Sequence, residues 1–190
     1  MSMEIPEAIR EKENILQGRL EISLESEGDF EKLEEWLREI IDTEEAEQCV
    51  FVLRSMQGMD FRNQCQDATQ KFGTQLNTQF GGEESFFDLV PSAKFSDVRT
   101  HSPMDKTGSR DNHHSVALLE MNPDNKEAAS LVFDLTYGHA SGRGKRNAIS
   151  VFSLKGDAKQ IMEALKDHYG GSWKVNFELN RKTGEYRFKI

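Results

Sequence analysis

Residues 114–135 read HSVALLEMNPDNKEAASLVFDL, and this stretch decides the fold. Two apolar runs, 116–121 and 131–135, flank Asn122-Pro123-Asp124-Asn125. Each run has the length and side-chain types of a buried strand. Pro123 fixes its own φ, and Asn and Asp bond their own backbone in tight turns, so the segment predicts an antiparallel hairpin. With the turn centred on Asp124, the numbers of paired residues sum to about 248. Asp134 then lies across from His114, near enough to orient its imidazole.

Working outward towards the N-terminus, Arg62 to Gln79 is predicted as a helix with Cys65 near its start. Gly81-Gly82 ends it. Gln48 to Leu53, with Cys-Val-Phe-Val-Leu inside it, reads as a buried strand. Before it, Gly28-Asp29 caps a helix over 29–42, with Phe30, Leu33, Leu37, Ile40 and Ile41 on one face. Leu20, Ile22 and Leu24 alternate with polar residues as a strand does, and Pro6 to Gln17 reads as a short helix. Residues 92–112 are polar and carry Pro103 and Gly108, which predicts a long mobile loop.

Working outward towards the C-terminus, Gly138 to Arg146 (GHASGRGKR) is a Gly-rich basic loop. Ile149 to Leu154 reads as a strand, and Asp157 to Tyr169 as an amphipathic helix stopped by Gly170-Gly171. Val175–Leu179 and Tyr186–Ile190 form a closing hairpin across Arg181-Lys182-Thr183-Gly184.

The two ends resemble each other. An offset of 128 sets Gly28 on Gly156, Asp29 on Asp157, Leu33 on Ile161 and Leu37 on Leu165. Both ends then read strand, Gly-Asp, helix, strand, either as a duplication or as the same capping physics used twice. The expected fold class is α+β. A mainly antiparallel or mixed sheet is flanked by helices, with two similar β-α-β units near the chain ends. The length of 190 residues suits a single domain, 1–190. Its expected parts are an acidic N-terminal β-α-β part (1–54), a central helix and hairpin (55–138) and a C-terminal β-α-β-β part (147–190).

Charge is unevenly spread. Residues 1–48 hold 16 acidic and 5 basic side chains, whereas Arg143 to the end holds 11 basic and 5 acidic. The overall net charge of −9 argues against a dedicated nucleic-acid binder. A run of about 18 apolar residues is absent, which argues against a membrane span. Residues 1–10 carry Glu4 and Glu7 and lack the apolar core of a secretory signal. Two cysteines, Cys49 and Cys65, make no disulfide framework and no zinc spacing. These features point to a cytoplasmic setting, with export by a signal-less route left open. They suggest no cofactor and no metal.

The chemistry-bearing residues centre on Cys65. A thiol at a helix start feels the positive end of the helix dipole, which favours the thiolate. His113-His114 open the strand 116–121, and Asp134 closes the next one. Cys49, inside an apolar run, reads as structural.

The order of these pieces resembles the papain-like and transglutaminase-like cysteine hydrolase superfamily over residues about 57–138. The matching pieces are a Cys opening a helix (Gln64-Cys65-Gln66-Asp67-Ala68), a His leading an apolar strand (His114-Ser115-Val116) and an acid closing the following strand (Phe133-Asp134-Leu135). The Trp signature that follows the Cys in papain-type proteases is missing. The resemblance implies Cys65 as nucleophile, His114 as general base and Asp134 as its orienter. Hydrolysis or acyl transfer at an amide or thioester bond of a peptide or protein would follow. Gln57 or Gln64 would supply an oxyanion donor, and His113 is a rival base.

Arg143 and Lys145 of the basic loop, with Gln64 and His113, are candidate substrate-binding residues. The loop lacks the spacing of a P-loop. His139 with Asp134 and His114 has no metal-binding spacing to support it.

Rival readings accompany each choice. Cys65 also reads as a small apolar filler, and Asp134 as a partner of a backbone amide or of Arg143. A second functional class is a protein-interaction or regulatory module of inhibitor or immunity type, whose acidic helix 29–42 meets a basic protein. A third is phosphate or nucleic-acid binding through the basic C-terminal loop.

Overall fold

The computed structural model describes residues 15–59, 65–100, 114–137 and 148–189. Seven strands make one antiparallel sheet: β1 (Leu16–Ser23), β2 (Lys94–Thr100), β3 (Ser115–Glu120), β4 (Ser130–Asp134), β5 (Ala148–Leu154), β6 (Trp173–Asn180) and β7 (Glu185–Phe188). Their order across the sheet is β1-β5-β4-β3-β2-β6-β7. Among the described residues five helices flank it: α1 (Glu27–Arg38), α2 (Thr43–Ser55), α3 (Cys65–Leu76), α4 (Phe86–Leu89) and α5 (Ala158–Tyr169). The fold is α+β, as the hairpin and its flanking patterns predict.

The sheet has a core on each face. On one, α1 to α4 bury Phe30, Leu33, Leu37, Val50 and Phe72 against Phe95, Leu119, Leu131 and Phe133. On the other, Ile161 and Leu165 of α5 cover Val98, Val116, Leu118, Val132 and Phe152. Both sides of β3 and β4 are therefore withdrawn from water, and every residue of these two strands is buried. That is why their apolar runs are continuous instead of alternating.

The hairpin is confirmed with a different register. Leu118 pairs with Val132 and Ala117 with Phe133, so paired numbers sum to 250. The connection is wider than the Asn122–Asn125 turn alone, because Met121 N–H bonds the Ala129 carbonyl at 3.1 Å. In this register Asp134 belongs opposite Val116. The slip is two residues, one full side-chain period, so Asp134 keeps its face and still reaches His114 on the diagonal.

Residues 48–53 are helical, not a strand. Asp42 and Glu45 form a capping box that opens α2. Ala46, Cys49, Val50 and Leu53 then fall on one buried face, while Phe51 is 44% exposed. An apolar run of this length fits either structure until its cap is noticed.

The first helix is capped by Ser26, and Asp29 sits at its third position, accepting the Ser26 N–H at 2.8 Å. Asp157, by contrast, is itself the cap of α5, and Gly156 before it takes a φ of 142°. The 128-residue offset thus superposes unlike positions. The N-terminal unit is strand-helix-helix, and the expected second β-α-β unit is not there. The C-terminal unit is real: α5 carries the chain from β5 across β4, β3 and β2 to β6.

Residues 94–100 are a strand inside the expected loop 92–112, of which 101–112 lie outside the described residues. Phe95 faces the α3 side and Val98 the α5 side, so both faces are buried although polar residues intervene. Leu16 and Gln17 open β1, and the rest of the expected helix 6–17 up to residue 14 lies outside the described residues. Among the described residues no helix is long and apolar enough to cross a membrane.

Candidate functional site

Asp134 ends β4 on the α5 side of the sheet and is fully buried. A carboxylate there needs partners, and among the described residues it has three. His114 Nε2 lies 3.0 Å from Oδ2, the Tyr169 hydroxyl donates to the same oxygen at 2.6 Å, and Thr136 N–H donates to Oδ1 at 3.3 Å. Tyr169 is the last residue of α5. Burial and the Asp134 charge raise its phenol far above the ordinary range, so it stays a donor.

His114 stands just before β3 and is 6% exposed. Its carbonyl accepts the Thr100 N–H at 3.0 Å, which ties the backbone to β2. Tyr169 and Trp173 wall the ring, with centroids at 5.5 and 6.1 Å, and Trp173 stands edge-on at 88°. The indole is held by its own bond to the Gly170 carbonyl at 2.8 Å. Burial alone would favour neutral imidazole. The Asp134 charge and hydrogen bond, with Cys65 beyond, outweigh it and hold His114 protonated well above the usual histidine range.

Cys65 lies in α3, on the opposite side of the sheet, and is half-buried. Gly73 allows α3 to lie directly on Phe95 and Tyr186, which brings Cys65 to the end of β3. There the Ser115 N–H donates to Sγ at 3.4 Å, and His114 forms a side-chain hydrogen bond with the thiol. Burial opposes the thiolate. The His114 and Ser115 hydrogen bonds and the imidazolium charge prevail, and the thiol sits below its usual range. With Nε2 engaged by Asp134, Nδ1 is the ring nitrogen left for sulfur. The three groups thus connect sulfur, imidazolium and carboxylate across the end of the sheet.

Cys49 is the contrasting thiol. It is fully buried in α2, and burial first, then Glu45, drives its pKa far up.

A second polar group lines the α3 side. Gln70 Nε2 donates to the buried Asp97 carboxylate at 3.2 Å. Burial pushes Asp97 up to about 6, with Gln70, Ser115 and Arg99 pulling the other way. Arg99, the cross-strand partner of Ser115, donates through Nη1 to Gln66 Oε1 at 3.1 Å.

Of the residues expected from the sequence, Cys65, His114 and Asp134 come together. Gln57 is exposed in the turn after α2, and Gln64, His113, His139, Arg143 and Lys145 lie outside the described residues. Sequence reasoning missed Tyr169, Trp173, Asp97 and Arg99. The aromatic pair brackets Gly170-Gly171 at a helix end, which was the one signal available for it. Asp97 and Arg99 were hidden in a stretch read as loop. Among the described residues no group of three His, Cys, Asp or Glu side chains could hold a metal ion. A separate cavity of about 240 Å³ lies between β1, β5 and α5, lined by Leu16, Phe152, Leu165 and His168 but by none of the three site residues. Compared with protein-family models, with curated proteins and with solved structures, the chain finds no match.

Proposed function

We propose that the protein is a cysteine-dependent hydrolase or acyl transferase of the kind found in the papain-like and transglutaminase-like superfamily. Cys65 is the nucleophile, His114 the acid and base, and Asp134 the group that orients it. The observation that carries this reading is the contact chain from Cys65 through His114 to a buried Asp134. The hairpin brings His114 and Asp134 together, and α3, whose Cys65 lies 50 residues before Ser115, adds the thiol.

In the reaction the thiolate attacks the carbonyl carbon of an amide or thioester, forming a C–S bond while the π pair moves to oxygen. When the intermediate collapses, the bond to the leaving amine or thiol breaks and the His114 imidazolium supplies the leaving group's proton. Neutral His114 then takes a proton from water or a second nucleophile, which releases the acyl group and restores the ion pair. Tyr169 and Trp173 keep water from the His114–Asp134 contact, which strengthens it.

The test is the rate of iodoacetamide alkylation against pH, with Cys65→Ala as the blank. A reactive thiolate well below about pH 8.5 is expected, lost in His114→Ala. An ordinary thiol profile in the wild type, unchanged in His114→Ala, refutes the reading.

A further inference from the structure

Arg99 occupies a position that the triad leaves unused. It projects from β2 on the α3 side, directly across from Ser115, whose N–H touches the Cys65 sulfur. Gln66, the residue after Cys65, holds one end of its guanidinium through Nη1. The half-buried side chain has no carboxylate within ion-pair distance among the described residues, and its Nε–H is out of water without a hydrogen-bond partner. A buried N–H left unpaired on a charged group is costly, and native structures rarely keep one without a use.

We infer that Arg99, oriented by Gln66, is an anion subsite beside Cys65, and that the acyl compound attacked there carries a carboxylate next to its reacting carbonyl. The inference rests on the cysteine reading above and specifies its substrate class. Nη1 is committed to Gln66 and the Nε–H has no partner, and Nε lies on the same edge of the guanidinium as Nη2. That edge presents two parallel N–H groups at the spacing of carboxylate oxygens. A half-buried guanidinium also discriminates, because a neutral amide in place of the carboxylate would leave those donors poorly satisfied.

Two thiol reagents that differ only in this charge test it. Iodoacetate carries the carboxylate, and iodoacetamide is its neutral counterpart. The neutral reagent reports the reactivity of Cys65 itself, so the ratio of the two rates cancels any change a variant makes to the thiolate. The ratio is expected to fall about tenfold or more in Arg99→Gln, the effect of losing one charge-assisted hydrogen bond. Gln66→Glu, which sets a carboxylate on the guanidinium without disturbing the strand, is expected to lower it similarly. Arg99→Lys should retain an intermediate value. A ratio unchanged within twofold in both Arg99→Gln and Gln66→Glu overturns the subsite, and leaves the cysteine reading intact if iodoacetamide still finds a low-pH thiolate. Absence of that thiolate in the wild type overturns both.

Discussion

Gly73 within α3 offers the sharpest test of how Cys65 is positioned. On helix propensity alone, Gly73→Ala should stabilise the protein by about 0.8–1.0 kcal/mol. The structure predicts the opposite sign. A Cβ built on Gly73 would meet the Tyr186 hydroxyl and two ring atoms of Phe95, the farther of these at 2.6 Å. Neither neighbour can yield cheaply. Phe95 is 1% exposed, and the Tyr186 hydroxyl is bonded to the Gln70 carbonyl at 2.7 Å. Overpacking of this kind costs about 1–3 kcal/mol, and losing the tyrosine bond about 1 kcal/mol more. The net expectation is a loss of about 1–3 kcal/mol in urea unfolding, with an unchanged m-value. Because α3 must lift from β2, alkylation of Cys65 near neutral pH should slow as well. Adding Phe95→Leu should restore part of both losses, a coupling that a double-mutant cycle measures. Gly73→Ala as stable as the wild type, or more stable, would refute the claim that this close approach sets the height of the helix.

Two further outcomes are expected. Tyr169→Phe removes one of the donors on Asp134 and leaves a buried carboxylate short of a hydrogen bond. Urea unfolding should show a loss of about 1–3 kcal/mol, and a change below 0.5 kcal/mol would count against the contact. Asp97 has a folded-state pKa of about 6, above its ordinary value of 3.8, so the folded chain binds the extra proton between these limits. Its contribution to stability is full below about pH 4 and is lost as pH rises through 6. Asp97→Asn should flatten that fall by up to about 3 kcal/mol; parallel stability curves for variant and wild type across pH 4–7 would refute it.

The centre of the fold was legible because β3 and β4 are covered on both faces, and their unbroken apolar runs state that directly. The candidate site was legible for a related reason: Cys65 lies on a readable helix, and His114 and Asp134 bound two strands already joined by a readable turn. The register was misjudged by two residues without harm, since side chains repeat every two. What failed did so where two principles compete. Cys49–Leu53 satisfies strand chemistry, and only the Asp42–Glu45 cap decides for α2. In β2, Ser96, Asp97 and Arg99 disguise a central strand as loop, because their partners on α3 are remote in sequence and a local pattern cannot show them. Tyr169 was placed on its helix but given no role, since its contact with Asp134 spans 35 residues.

The long step that α5 makes over three strands has a consequence for the Cys65–His114 pair. Asp134 receives its phenol, and His114 its aromatic screen, only from residues beyond 168, which arrive after β5 and must cross the whole back of the sheet. A chain still lacking that segment holds Cys65 and His114 without the surroundings that sustain their charges. The protonation of the Cys65–His114 pair therefore depends on a docked 169–173 segment, far along the chain from the residues it serves.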